Sequence, residues 1–144
     1  AGRNHEDLVS DFEAEASSQL LNRPVVAVSS GTAALHLALA ALNIKPGDAV
    51  AVPTFAYVAA VNPILYEGAK PVFIDAEAMT WNLDPELLER ALKKFPKLRA
   101  IVVVHNYGVP AQMQRIMALA RKYRVPVIED AAEAWGATVA GVPC

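Results

Sequence analysis

The sequence predicts an α/β fold in which a mainly parallel sheet lies between two layers of helices. Short runs rich in Val and Ile alternate with longer helical segments along the chain. These runs are continuously apolar and do not alternate with polar residues, which is typical of strands covered on both faces. Strand–helix alternation at this spacing requires crossover connections, so the sequence predicts a three-layer α/β/α arrangement.

The first third of the chain supplies a helix, a strand and a second helix. Residues 8–21 carry apolar side chains at a spacing of four, which predicts a helix with one apolar stripe. Residues 25–28 are a β-branched run and are predicted to form a strand. An Ala- and Leu-rich helix is predicted over residues 32–42, and a Pro-Gly turn over residues 45–48 follows it.

The middle of the chain repeats the pattern of strand, helix and strand. A strand is predicted over residues 49–52, and Pro53 ends it. Thr54 is suited to cap a helix that reaches residue 66. A glycine-containing turn then leads into a strand predicted over residues 71–74.

The last third begins with a helix that has a clear start. An Asp-Pro pair opens a helix predicted over residues 84–94, because Asp caps a helix well and Pro suits its first position. A strand is predicted over residues 100–104, a helix over residues 109–123 and a last strand over residues 125–129.

Composition excludes several classes of protein. The 144 residues have the length of about one domain, and their net charge of −2 with no basic stripe argues against a nucleic-acid partner. The single cysteine, Cys144, excludes an internal disulfide and a multi-cysteine metal site, so we expect no metal. The longest apolar helix is far shorter than the ~20 residues that cross a bilayer. We therefore expect a cytoplasmic protein without a membrane partner.

The hydrophobic content of 54% is high for a soluble domain. A parallel sheet buried on both faces accounts for part of it. A missing remainder of the protein or a partner subunit is the alternative source of apolar surface.

Polar or aromatic clusters follow the predicted strands at their carboxyl ends, where open α/β sheets bind ligands. They are residues 29–32, residues 54–57, residues 105–107, and Asp130 with Glu133. The first cluster opens a helix, whose free N–H groups and dipole favour a phosphate. The clusters together fit pyridoxal 5′-phosphate (PLP), which has a phosphate, an aromatic ring and a basic ring nitrogen.

Each part of that cofactor has a candidate partner in the sequence. The helix start offers N–H groups to the phosphate, and Tyr57 is placed to stack on the ring. Asp130 directly follows a buried strand, and a carboxylate beside the ring nitrogen raises the pKa of that nitrogen. His105, at a strand end, is a candidate pocket residue.

Six motifs in a fixed order carry a family resemblance. They are SGTAAL (30–35), PGD (46–48), VPTFAYVA (52–59), GAKPVFID (68–75), HNYG (105–108) and IEDAAEAWG (128–136). In this order they resemble the DegT/StrS-type sugar aminotransferases, PLP enzymes of the aspartate-aminotransferase fold. The resemblance runs from about residue 12 to the last residue.

The resemblance implies roles for the residues that match its motifs. Gly31, Thr32 and Ala33 would hold the cofactor phosphate. Tyr57 would stack on the pyridine ring, and Asp130 would pair with its nitrogen.

Glu133 is a departure from the family pattern, which usually has glutamine or histidine near the hydroxyl of the cofactor ring. An ionised carboxylate there repels the phenolate oxygen of the cofactor. Two arrangements stay open: a protonated Glu133 beside the ring, and a side chain that points elsewhere.

A second departure concerns the lysine that bonds covalently to the cofactor. In the family it lies in a serine-rich segment C-terminal to the aspartate motif, and no lysine of this sequence lies in a matching motif. We therefore predict that residues 1–144 are the N-terminal part of a fold type I large domain. The small C-terminal domain and the lysine would lie outside this fragment, which alone would be inactive.

The resemblance implies an intact homodimeric enzyme that moves an amino group from glutamate or glutamine to a keto-sugar nucleotide. Pyridoxamine phosphate would be the intermediate, and the product would serve amino-sugar or cell-surface polysaccharide biosynthesis. A dehydratase of the same family that uses pyridoxamine phosphate and a non-catalytic truncated PLP-fold protein remain alternatives. A dinucleotide-binding domain is disfavoured, because no glycine-rich fingerprint follows the first predicted strand.

Overall fold

A parallel four-stranded sheet forms the centre of the protein in a computed structural model that describes residues 4–144. Its strands are β1 (Ala49–Pro53), β2 (Lys70–Ile74), β3 (Leu98–Val104) and β4 (Val127–Asp130). Their order across the sheet is β2-β1-β3-β4, and each neighbouring pair is parallel. Residues 1–3 lie outside the described residues.

Helices cover both faces of this sheet. The α-helices of the described residues are α1 (His5–Gln19), α2 (Gly31–Ala41), α3 (Asn62–Tyr66), α4 (Pro85–Lys94) and α5 (Met113–Tyr123). The α2 and α3 helices pack on one face, and α4 and α5 pack on the other. The predicted three-layer α/β/α fold is confirmed. Within the described residues 4–144, no helix combines the length and the apolarity needed to cross a membrane.

Successive residues of β3 enter different layers of the core. Ile101 and Val103 pack among the residues of α4 and α5, whereas Ala100, Val102 and Val104 pack with α2 and α3. Side chains alternate between the two faces along any strand. Because both faces of this strand are covered by helices, its sequence is apolar without interruption.

The start of α4 agrees with its sequence prediction. The Asp84 carboxylate accepts hydrogen bonds from the N–H groups of Glu86 and Leu87, and Pro85 occupies the first turn. Lys93 and Lys94 lie in the last turn, where cations favour the negative end of the helix dipole.

The strand predicted over residues 25–28 is wrong. The segment belongs to no strand of the described sheet, and the side chains of Val26 and Val28 are exposed. The N–H of Ala27 donates to the Glu13 carboxylate at 2.8 Å instead of to a neighbouring strand. A β-branched run favours extended backbone, but a strand also needs a hydrogen-bonded neighbour, which no local pattern specifies.

The single helix predicted over residues 54–66 is also wrong. A 3₁₀ turn at Val58–Ala60 comes first, and the short α3 follows it. Thr54 does not cap a helix, because its hydroxyl donates to the Asp75 carboxylate at 2.9 Å. Pro63 lies in the first turn of α3, where its missing N–H is tolerated, so a helix starts there but does not run through it.

Two smaller differences concern the last part of the chain. The α5 helix starts at Met113, later than predicted, because the N–H of Ala111 is taken by the His105 ring. A two-stranded antiparallel hairpin, not predicted, joins β5 (Thr138–Val139) to β6 (Val142–Pro143).

The strand order creates a crevice between β1 and β3. The chain leaves β1 through α3 toward β2 on one side, and it leaves β3 through α5 toward β4 on the other. The two connections lie on opposite faces of the sheet. Open α/β sheets bind ligands beyond the carboxyl ends of the strands at such a reversal, so this edge is where a site is expected.

Two leucines of α2 provide a matched test of this core. Leu39 is 1% exposed and Leu37 is 51% exposed. We expect Leu39→Ala to lower the free energy of unfolding by about 2–5 kcal/mol, because it leaves a cavity. Leu37→Ala should change it by roughly 0.5 kcal/mol or less. Urea unfolding of the intact protein measures both, and equal losses would contradict the placement of α2.

Candidate functional site

The start of α2 presents backbone donors beyond the sheet edge. Ser30 caps the helix: its hydroxyl oxygen accepts the N–H of Ala33 at 3.1 Å, and its carbonyl accepts the N–H of Ala34 at 3.0 Å. The N–H groups of Gly31 and Thr32 precede the first intrahelical bond and face outward. Two of the three predicted phosphate donors are therefore available to an anion, whereas Ala33 already donates to Ser30.

Asp130 ends β4 with its carboxylate beyond the strand. Its carbonyl accepts the N–H of His105 at 3.0 Å, which continues the pairing of β3 with β4. One carboxylate oxygen, Oδ1, accepts the N–H of Ala132 at 3.1 Å. This short turn orients the partly buried side chain. A charged hydrogen-bond donor is a suitable partner for it.

A cavity of about 880 Å³ runs along the outer edge of β4, where no further strand of the described residues pairs, and not at the crevice between β1 and β3. Gly31 and Asp130 both line it, together with Trp135 and a largely apolar wall from α2, α5 and the hairpin. Its size lies in the range of ligand pockets. The start of α2 and a carboxylate therefore face one space, which fits a ligand with a phosphate and a basic nitrogen. The other predicted site residues do not line this cavity: Thr32, Ala33, Tyr57, His105 and Glu133.

Tyr57 lies in the loop after β1 and is 78% exposed, so its ring is free to cover a ligand. In the same loop, Phe55 contacts Trp81, with ring centroids 5.4 Å apart, and Tyr107, with centroids 6.2 Å apart. Trp81 is not among the site residues predicted from the sequence. The backbone of Trp81 is left-handed, with φ of 61°, and no sequence pattern predicts that conformation for a tryptophan.

His105 is fully buried at the end of β3. Its Nδ1 accepts the N–H of Ala111 at 3.1 Å, and its Nε2 lies 3.4 Å from the Glu129 carboxylate. An accepting Nδ1 requires the proton on Nε2, which then donates toward Glu129. The ring holds the loop that leads into α5, and its role as a pocket residue stays a prediction.

Glu133 joins the loop after β4 to the loop after β3. Its Oε2 accepts the N–H of Tyr107 at 2.7 Å. This hydrogen bond engages the Glu133 carboxylate with the backbone of the neighbouring loop. A role of Glu133 beside the cofactor ring stays a prediction.

Asp75 joins the ends of β1 and β2. Its Oδ1 accepts the N–H of Ala76 at 2.9 Å and the hydroxyl of Thr54 at 2.9 Å. These donors, the Ala76 N–H first and the Thr54 hydroxyl second, hold the pKa of the Asp75 carboxyl below its ordinary value. The hydrogen bonds that join the two loops are therefore strongest while the carboxylate is ionised.

The fold is that of PLP-dependent aminotransferase domains. Solved members of that class superpose on the chain. One is the aminotransferase from Psychrobacter cryohalolentis, with TM-score 0.89, 39% identity and coverage of 94% of this chain and 34% of that one. Another is S. venezuelae DesV in complex with a ketimine intermediate, with TM-score 0.90, 39% identity and coverage of 94% and 36%.

The chain belongs to the DegT/DnrJ/EryC1/StrS aminotransferase family, whose profile matches residues 3–144. It is 47% identical over 138 residues to the putative pyridoxal phosphate-dependent aminotransferase EpsN of Bacillus subtilis, covering 93% of this chain and 36% of that protein. It is 43% identical over 133 residues to GDP-perosamine synthase of Escherichia coli O157:H7, covering 92% and 36%. The chain thus spans about a third of the length of these relatives.

The ionised state of Asp75 has a consequence for acid stability. A lowered folded-state pKa means that its contribution is present above the ordinary value of 3.8 and is lost as the pH falls through the lowered value. We expect Asp75→Asn to be less stable than the wild type at neutral pH, with the difference vanishing in acid. Thermal unfolding across a pH series measures it.

Thr54→Val is the companion variant, because it removes one donor and leaves the carboxylate. It should shift the acid loss toward the ordinary pKa of an aspartate. A difference between wild type and Asp75→Asn that persists unchanged below that range would contradict the assignment.

Proposed function

We propose that the intact protein containing this chain is a PLP-dependent aminotransferase that moves an amino group from glutamate or glutamine to a keto-sugar nucleotide. The observation that carries the proposal is the shared cavity, in which the start of α2 and the Asp130 carboxylate face one ligand space. The names of the relatives supply the substrate class. They include GDP-perosamine synthase and a UDP-2-acetamido-2-deoxy-3-oxo-D-glucuronate aminotransferase of Pseudomonas aeruginosa, which is 45% identical.

The residues present fit that cofactor in charge and in hydrogen bonding. The N–H groups of Gly31 and Thr32 bind the phosphate at the positive end of the helix dipole. Asp130 holds a proton on the ring nitrogen by attraction between opposite charges. When bound, PLP supplies an electron sink for the charge left at the α-carbon of the amino donor. Tyr57 covers the ring face and excludes water from it.

The reactive amine comes from elsewhere in the protein. Within residues 4–144, no lysine lines the cavity. We infer that a lysine outside residues 1–144 reaches this space, and that these residues are the N-terminal part of a large domain. A small C-terminal domain and a second subunit complete the enzyme, and its product enters amino-sugar or surface polysaccharide synthesis.

Asp130→Asn tests the ring-nitrogen contact, since it removes the charge and keeps the shape. Without that charge the ring nitrogen loses its proton, and we expect kcat to fall about 100-fold or more. Absorbance of the bound cofactor after addition of glutamate follows the first half-reaction. Asp84→Asn is the control, because Asp84 caps α4 and asparagine caps a helix equally well. Near-normal turnover of Asp130→Asn would overturn the proposed contact.

Gly31→Pro tests the phosphate contact at the backbone. Proline removes the N–H, is favoured at the first helical position, and meets nothing within 4 Å at the added Cβ. Ser30 before it is extended, as a residue before proline must be. Loss of one charge-assisted bond should raise the dissociation constant of PLP about tenfold or more.

Thr32→Ala is the matched control for that variant, because it keeps the backbone donor. Its affinity for PLP should stay within a few-fold of the wild type, and both variants should keep their unfolding temperature. Unchanged affinity in a well-folded Gly31→Pro protein would show that the phosphate binds elsewhere.

A further inference from the structure

Two buried asparagines lie beyond the carboxyl ends of the strands. Asn82 is 0% exposed and Asn106 is 5% exposed. The N–H of Asn106 donates to Asn82 Oδ1 at 2.9 Å, inside the protein. Neither residue belongs to the cofactor contacts proposed above, although both lie at the same edge of the sheet.

The Asn106 side chain uses both of its amide hydrogens. Its Nδ2 donates to the carbonyl of Phe55 at 3.2 Å and to the carbonyl of Trp81 at 3.2 Å. Asn82 is bonded in turn: its Nδ2 donates to the Val109 carbonyl at 2.9 Å and contacts the Thr80 hydroxyl at 3.1 Å. An amide supplies two donors at one nitrogen, which neither a carboxylate nor an apolar side chain does.

These bonds connect the loops that follow β1, β2 and β3. Phe55 follows β1, Trp81 and Asn82 lie in the loop after β2, and Asn106 follows β3. The neighbouring Tyr107 donates its N–H to Glu133, three residues beyond Asp130 in the loop after β4. Asn106 is thus the residue through which the loops of β1, β2 and β3 meet.

The backbone beside each asparagine is strained. Trp81 precedes Asn82 with φ of 61°, and Tyr107 follows Asn106 with φ of 52°. A left-handed conformation is unfavourable for a residue other than glycine, because its Cβ comes too close to the following carbonyl oxygen. Such strain persists only where the surroundings over-determine it, and it is typical of functional edges. The asparagine bonds are the adjacent contacts that hold these turns.

We propose that Asn106 is a positioning residue for the cofactor site. It fixes the loop after β1, which carries Tyr57 two residues beyond Phe55, against the loop after β3, which meets the Glu133 loop. Without it, the ring face and the edge near Asp130 lose their fixed separation. The inference rests on the proposed function, because it assumes that PLP binds at this edge. Asn106 itself contacts neither cofactor nor substrate.

Asn106→Ala in the intact holoenzyme tests the inference. It leaves the carbonyls of Phe55 and Trp81 without their donors, so the loops after β1 and β2 are no longer held to the loop after β3. We expect the dissociation constant of PLP to rise about tenfold. The visible circular-dichroism band of bound PLP, which reports how the ring is held, should weaken as well. Asn106→Ser, which keeps one donor, should give intermediate values.

Ile116→Ala separates positioning from stability. Ile116 is fully buried in α5, among the core residues of the α4 and α5 layer. This variant should lower the unfolding temperature at least as much as Asn106→Ala, yet keep PLP affinity within twofold and the dichroism band unchanged. Both readouts are taken on protein that is still folded.

Each other outcome overturns the inference in a distinguishable way. Wild-type affinity and dichroism in Asn106→Ala, or an equal loss in Ile116→Ala, overturns the positioning role and leaves the proposed function intact. If neither Asn106→Ala nor Asn106→Ser folds, Asn82 and Asn106 serve the stability of the fold alone, and the positioning role is overturned. If the intact wild-type protein binds no PLP, the proposed function and the inference are overturned together.

Discussion

Burial of the sheet on both faces is the constraint on which the rest of the structure depends. The central strands β1 and β3 are almost wholly inaccessible to water, because α2 and α3 cover one face and α4 and α5 cover the other. Strands in that position tolerate few polar side chains. The polar groups of the chain are therefore displaced to the loops at the strand ends, where water and ligands reach them.

The carboxyl edge of the sheet is organised by hydrogen bonds between loops. Asp75 holds the end of β1 to the end of β2, and Glu133 holds the loop of β4 to that of β3. The buried pair of Asn82 and Asn106 joins the loops between them. A cofactor site needs rigid support of this kind, since small displacements of a contacting group cost affinity. The edge is therefore braced independently of any ligand.

Local patterns predicted most of the elements because each had its own physical cause. The Asp-Pro start of α4 and the continuously apolar β3 were both predicted correctly. The strand prediction for residues 25–28 was wrong, because a β-branched run favours extended backbone without supplying a partner strand. The prediction that Thr54 caps a helix was wrong, because its hydroxyl donates to Asp75, twenty-one positions further along the chain. No local rule compares such a distant contact with a helix cap.

The amino-acid pattern alone predicted the fold class, the family motifs and the types of residue at the strand ends. It did so because hydrophobic period, helix caps and turn residues act over a few neighbouring positions. Only the tertiary structure decided that Gly31 and Asp130 face one cavity and that Asn106 joins three loops. Those relations depend on strand order and on left-handed turns at Trp81 and Tyr107, which arise from contacts between residues far apart in the chain.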